Sequence, residues 1–225
     1  MFSLSPKFEK AVADYFYLLE KGYPQKSILK IVGNRYQLVS TERSMLYRGV
    51  VTRAERDLRK VKKLRELPAG SNLTIDGYNV IRTMGSYLTG KPVFVSMDGF
   101  LRDAAEMHKS TLKKKILDRT LEMLFNYLHS VAPQHVVIYL DEPISKSGEL
   151  SARLNKLFKQ AGLTGNALTT RSPDYHLKEV ENGIICTADS AVIDSCKVPV
   201  FDLAKAILNL TFQPKFINLE KEIYH

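Results

Sequence analysis

A chain of 225 residues, 44% of them hydrophobic and 25% charged, carries enough apolar surface for a substantial core. No apolar run approaches the ~20 residues of a membrane span and the first residues lack a long signal-peptide core, so an intracellular, cytoplasmic protein is expected. Two cysteines, Cys186 and Cys196, suggest neither a disulfide framework nor a four-ligand zinc cluster. The net charge of +9 is unevenly placed: residues 1–70 hold 15 Lys and Arg against 7 Asp and Glu, residues 71–225 hold 18 against 17. Such asymmetry points to a polyanionic partner, nucleic acid first.

Ser5-Pro6 reads as an N-cap and first helical residue. Phe8, Val12, Tyr15, Phe16 and Leu19 then follow helical spacing as far as Gly22. Pro24 opens a second helix carrying Ile28, Leu29 and Val32, which Gly33 is expected to stop. Ser40 or Thr41 caps a third helix, expected to run to about Leu64. At about 100° per residue, Tyr47, Val50, Val51, Ala54, Leu58 and Val61 fall on one side of it. Arg48, Arg53, Arg56, Arg59, Lys60 and Lys63 fall on the other. Like charges at helical spacing repel, so this face is assigned to nucleic-acid phosphates, with plain solvation as the alternative. Two helices around a turn also fit a helix-turn-helix reader of DNA. The breaker-rich stretch from Leu67 to Asn72 marks a boundary between a basic helical module, residues 1–67, and a second domain, residues 72–225.

From residue 72 strands and helices alternate. Leu73 to Asp76 is a strand favoured by β-branched Thr74 and Ile75, and Gly77 lets the chain turn sharply after it. Residues 77–91 are read as a turn, a short helix and a loop. Pro92 to Met97 is a second strand ending in an Asp98-Gly99 turn. A helix from Thr111 to Val131 follows, then a strand from His135 to Asp141. Ser147 to Ala161 is a helix stopped by Gly162, and residues 165–170 a further strand. Asp174 to Val180 is a short helix, Ile184 to Thr187 a strand and Ala191 to Ser195 a turn or short helix. Val198 to Phe201 is the last strand and Leu203 to Leu210 a helix. This alternation predicts an α/β domain with a mostly parallel sheet covered on both faces.

Asp76, Asp98, Asp141 and Asp189 each follow an apolar strand-like run, and Asp174 begins a helix. In a parallel sheet the carboxyl ends of the strands share one edge. Acids gathered there repel and call for a cation. Oxygen-only donors suit Mg²⁺ or Mn²⁺, ions that stabilise phosphate charge in transfer or hydrolysis. Taken singly, each acid also fits a helix cap or an Asx turn. Phosphate-loop, dinucleotide and nucleophile-elbow motifs are absent. The histidines do not pair at ligand spacing; His108 is a candidate substrate contact.

Ile75-Asp76-Gly77-Tyr78-Asn79-Val80 resembles the first-strand motif of the PIN-like nucleases, the NYN branch above all. Thr187-Ala188-Asp189-Ser190 resembles their later Ser/Thr-x-Asp turn, with Asp194 following. Asp141 and Asp174 match an acid after a middle strand and one that opens a helix. Gly22-Tyr23-Pro24, residues 33–38, residues 46–49, Asp98-Gly99 with residues 101–103, and residues 141–148 resemble a prokaryotic family, common in archaea, that joins a basic helical module to a PIN-like domain. The resemblance implies a three-layer α/β/α domain and a metal-dependent ribonuclease, with RNA preferred over DNA and a homodimer by analogy. It implies Asp76, Asp141, Asp174, Asp189 and Asp194 as catalytic acids, with Asp98 and Asp103 as further metal ligands. Asn79, Arg102, Ser145, Ser147 and Ser190 are then the substrate contacts. Two other readings stand beside it: a catalytically silent PIN-like module that binds nucleic acid or protein, and a DNA-binding regulator using the N-terminal helices.

Overall fold

The structure, a computed structural model, describes residues 4–104 and 112–221. The helices are α1 (Phe8–Glu20), α2 (Gln25–Arg35), α3 (Ser40–Gly49), α4 (Arg53–Lys62), α5 (Gly77–Leu88), α6 (Lys114–Val131), α7 (Ser147–Ala161), α8 (Pro173–Lys178), α9 (Ser190–Ser195) and α10 (Leu203–Phe212). The strands are β1 (Asn72–Asp76), β2 (Val93–Val95), β3 (Leu101–Asp103), β4 (His135–Asp141), β5 (Gly165–Thr170), β6 (Ile184–Cys186), β7 (Val200–Phe201) and β8 (Ile217–Asn218). Two compact units form, and neither is a continuous stretch: one holds residues 1–61, 86–107 and 214–225, the other residues 62–85 and 108–213. No helix among the described residues is long and apolar enough to cross a membrane.

The first unit buries Phe8, Val12, Tyr15 and Phe16 of α1 with Ile28, Val32, Met45 and Leu46. Phe94, Met97 and Leu219 join the same core. Phe94 belongs to a three-stranded sheet in the order β3-β2-β8, and Met97 and Leu219 follow its strands β2 and β8. Within the expected strand from Pro92 to Met97 only Val93 to Val95 form one, and it belongs to this small sheet and not to the main one. A hairpin pairs β2 antiparallel to β3, and β8 adds in parallel. Gly99, at φ +84°, makes the tight turn.

Two expectations in this unit are corrected. Gly33 does not stop the second helix; α2 passes through it to Arg35. Glycine is needed there because the Arg43 guanidinium lies where a Cβ would sit, donating to the Gly33 carbonyl at 2.6 Å. The third helix is two helices. Val50 is extended at φ −94°, ψ +122°. Thr52 and Glu55 then form a reciprocal cap: Thr52 N donates to Glu55 Oε2 at 2.8 Å and Glu55 N to Thr52 Oγ1 at 3.2 Å. Three non-helical residues change the angular phase, so the wheel drawn through both segments fails. Leu58 and Val61, expected inside, are 68% and 88% exposed, while Arg59 is 4% exposed.

The second unit is built on a five-stranded sheet in the order β5-β4-β1-β6-β7, with every pairing parallel. The central β1 sets Leu73 against Val136 on one side and Ile184 on the other. It reads as an apolar run because it has a neighbour on both edges. Helix α6 packs on α7 and α10, while α8 packs on α9, β1 and β4. Gly77 starts α5 directly after Asp76, with no intervening turn. Its glycine serves close approach: a Cβ would lie 2.8 Å from the Tyr139 carbonyl and 2.6 Å from Leu140 Cδ2.

Candidate active site

The order of strands locates the site. From β1 the chain steps outward through β4 to β5, then crosses back to lay β6 and β7 on the other side of β1. The reversal leaves a crevice at the carboxyl ends of β1 and β6, the place where open parallel sheets bind ligands. Asp76 is the last residue of β1, and Thr187, Ala188 and Asp189 follow β6. The two motifs picked out in the sequence therefore meet.

They meet through specific hydrogen bonds. Thr187 Oγ1 donates to Asp76 Oδ2 at 2.9 Å, and Asn79 N donates to Asp76 Oδ1 at 3.2 Å. Ala188 N donates to Asn79 Oδ1 at 2.9 Å. Asp189 caps α9, its Oδ1 accepting from Ala191 N at 2.8 Å and Val192 N at 3.2 Å. Asn79 thus ties the two turns together, and Asp189 is fixed by the first turn of α9. Thr187 was not expected among the functional residues. Its signal was its place two residues before Asp189, as the hydroxyl of a Ser/Thr-x-Asp turn.

Asp141 ends β4, half-buried, and Asp174 opens α8, exposed. Burial raises the Asp76 carboxyl to about 7; the bonds from Thr187 and Asn79 oppose that, and the charges of Asp189 and Asp174 add to it. Asp174 is also raised, by partial burial first and then by Asp189 and Asp141, against Lys178. The charges of Asp174 and Asp189 therefore reach Asp76, and those of Asp189 and Asp141 reach Asp174. Among the described residues no group of three or more His, Cys, Asp or Glu is disposed to hold a metal ion. The four acids are gathered, but they do not converge on one point.

The remaining predicted residues fall elsewhere. Asp194 is exposed on α9; the Cys196 thiol nearby is raised by burial first, against Lys62, with the Asp194 charge adding last. Ser190 is the first residue of α9 and is half-buried. Ser145 is exposed, whereas Ser147 is buried with its hydroxyl donated to the Glu142 carbonyl at 3.0 Å, a structural bond rather than a substrate contact. His108 lies outside the described residues.

Asp98 and Asp103 do not end strands of the main sheet; both belong to the first unit. Asp98 is fully buried between two guanidiniums, with Arg102 Nη2 at 2.8 Å and Arg59 Nη1 at 3.1 Å. Burial works against its charge, but Arg102, Ser96 and Arg59 hold its carboxyl down at about 2. Arg102 is thereby committed to Asp98 and the Arg48 carbonyl, not to a phosphate. Asp103 pairs with Arg48. These acids are structural ion-pair members, because guanidiniums already occupy the positions a metal would need. The single-signed basic face is corrected by the same contacts. Arg48, Arg56, Arg59 and Lys60 have acidic partners in Asp103, Asp57, Asp98 and Glu220. Arg53 lies over the Phe16 ring, 5.5 Å from its centre, and Lys63 belongs to the second unit.

A parallel α/β unit with an acidic crevice at its topological switch point, joined to a helical unit, is the class that fold and site define. Residues 65–206, more than half of the chain, match the family described as "Domain of unknown function (DUF5616)", and the chain belongs to it. Residues 7–62 match "Protein of unknown function (DUF434)". The chain is 32% identical over 203 residues to the uncharacterized protein MJ0935 of Methanocaldococcus jannaschii, across 88% of this chain and 96% of that one. No solved structure matches.

Proposed function

We propose that this protein is a metal-dependent nuclease that hydrolyses RNA at the β1/β6 crevice, and that its second unit is PIN-like. The observation that carries the reading is Asp76: a carboxylate placed in a switch-point crevice among three others, with its proton affinity raised to about 7. Acids arranged only to stabilise a fold are paired with cations, as Asp98 is. Acids that share a field without such compensation are a feature of functional sites. The donor set is all oxygen, which suits Mg²⁺ or Mn²⁺. Asp76, Asp141, Asp174 and Asp189 would hold the ion, and the solvent contact of Asp141 and Asp174 leaves those two side chains room to turn inward. When bound, the ion supplies positive charge to the phosphate as negative charge develops.

The chain's own residues do the positioning. Thr187 and Asn79 fix the rotamer of Asp76, and the α9 amides fix Asp189. Ser190 and the Asn79 amide stand beside them as donors for a phosphate oxygen. The excess positive charge of the first 70 residues draws the RNA backbone as a diffuse field, with binding that weakens as salt rises. The spread of the acids favours a second reading, a silent PIN-like binder. Cleavage of labelled single-stranded RNA in Mn²⁺ separates the two. The nuclease reading expects loss of cleavage on adding EDTA and at least about 100-fold loss in Asp76→Asn, with RNA binding kept. Cleavage undiminished in Asp76→Asn, or none by the wild type across unrelated RNAs, rejects it.

A further inference from the structure

The second unit carries a cleft of about 530 Å³ that, apart from the expected substrate contact Ser145 in its lining, the readings above do not use. Its size falls within the ~300–1,000 Å³ of small-ligand sites. Ile81, Leu112, Leu117, Ile144 and Leu150 line it with apolar surface together with Tyr78, and Arg82, Lys114, Lys146 and Arg153 add four cations to the lining. Glu149 is the single acid among its lining residues, 3.9 Å from Lys146. Arg153 is engaged by Asp118 at 2.6 Å. The Arg82 guanidinium lies 5.0 Å from the centre of the Tyr78 ring, so the aromatic wall and a cation form one surface.

The cleft adjoins the acid crevice through the chain itself. Tyr78 lies in the first turn of α5 between Asp76 and Asn79, and Ser145 and Lys146 follow Asp141 within five residues. The Tyr78 hydroxyl is raised by burial first and also by the Asp141 charge, with Arg82 opposing. An occupant of the cleft therefore sits beside the Asp141 end of the four acids.

We propose that this cleft binds one nucleotide of the RNA strand next to the scissile phosphate, its base on Tyr78 and the apolar lining and its phosphate on Arg82 and Lys146. Charge complementarity selects an anion, and the flat aromatic ring within an apolar lining selects an anion with a base. Stacking on an aromatic side chain tolerates any base, so the cleft gives affinity and register rather than sequence choice. The inference rests on the nuclease reading for its substrate, but its test does not depend on cleavage.

The test is binding of a labelled ten-nucleotide RNA to the full chain in EDTA, with adenosine monophosphate and inorganic phosphate as competitors. The expected result is a loss of at least tenfold in affinity for Arg82→Met with Lys146→Asn, an asparagine tolerating the left-handed backbone of residue 146 (φ +66°). The salt dependence should also become shallower, as two phosphate contacts are lost. Adenosine monophosphate should compete better than phosphate at equal concentration. Unchanged RNA affinity in the double variant, folded by circular dichroism, overturns the proposal. So does competition by phosphate equal to that by the nucleotide, which would leave an anion site only. Loss of binding in the double variant, together with cleavage that survives Asp76→Asn, would keep the cleft and remove the nuclease reading. Normal binding in the double variant, together with cleavage that needs Asp76, would do the reverse.

Discussion

Replacing Asp76 by asparagine should make the metal-free protein more stable, and the size of the gain should depend on pH. In the folded chain this carboxyl titrates at about 7, against an ordinary value of 3.8. The folded state therefore binds more protons than the unfolded state between about pH 4 and pH 7, and stability falls as pH rises through that window. At ~1.36 kcal/mol per unit, the ionised acid penalises the fold by about 4 kcal/mol at pH 8. Asparagine imitates the neutral acid, but its amide NH₂ faces one of the two donors, Thr187 Oγ1 or Asn79 N, which costs about 1 kcal/mol. The net gain is about 3 kcal/mol at pH 8 and under about 1 kcal/mol at pH 5. Urea unfolding in EDTA at the two pH values measures both numbers. A loss of about 1 kcal/mol at both would refute the reasoning, because it would mark Asp76 as an ordinary satisfied cap.

Other outcomes follow from the same structure. Asp98→Ala leaves Arg59 and Arg102 buried without their shared partner and should destabilise by about 3–5 kcal/mol in urea unfolding; an effect below about 1 kcal/mol would contradict the buried triad. Thr52→Ala should cost about 1 kcal/mol by opening the N-terminus of α4, read as lost helicity and a lower urea midpoint. Gly77→Ala places a methyl 2.8 Å from the Tyr139 carbonyl and should cost about 1–3 kcal/mol in urea unfolding, where a left-handed glycine or an open turn would have given a different scale.

The sequence made the second unit legible wherever an element carried its own punctuation. Gly162 closes α7 in the left-handed conformation, as expected from its position, and β4 and β5 fall within the expected residues. The acids at the ends of β1, β4 and β6 were visible because a buried parallel strand reads as an apolar run up to its first charge. The same rule misassigned Asp98, since a short hairpin strand packed on helices is equally apolar and pairing partners are not local information. Strand β8 was missed because two residues carry no periodicity. The helical wheel failed at Val50 to Thr52, where the readable sign was the Thr52-x-x-Glu55 box rather than the charge pattern. Arg59 reads as a phosphate-binding cation in the sequence because its partner Asp98 is 39 residues away.

The proposed function requires that Asp76, Asp141, Asp174 and Asp189 turn toward one cation when it binds. Calorimetric titration of Mn²⁺ into the wild type and into Asp76→Asn with Asp189→Asn tests it most directly, with circular dichroism to show that the variant is folded. The account predicts saturable binding by the wild type and none by the folded variant. Equal binding by both, or no binding by the wild type even with an RNA oligonucleotide present, would contradict it.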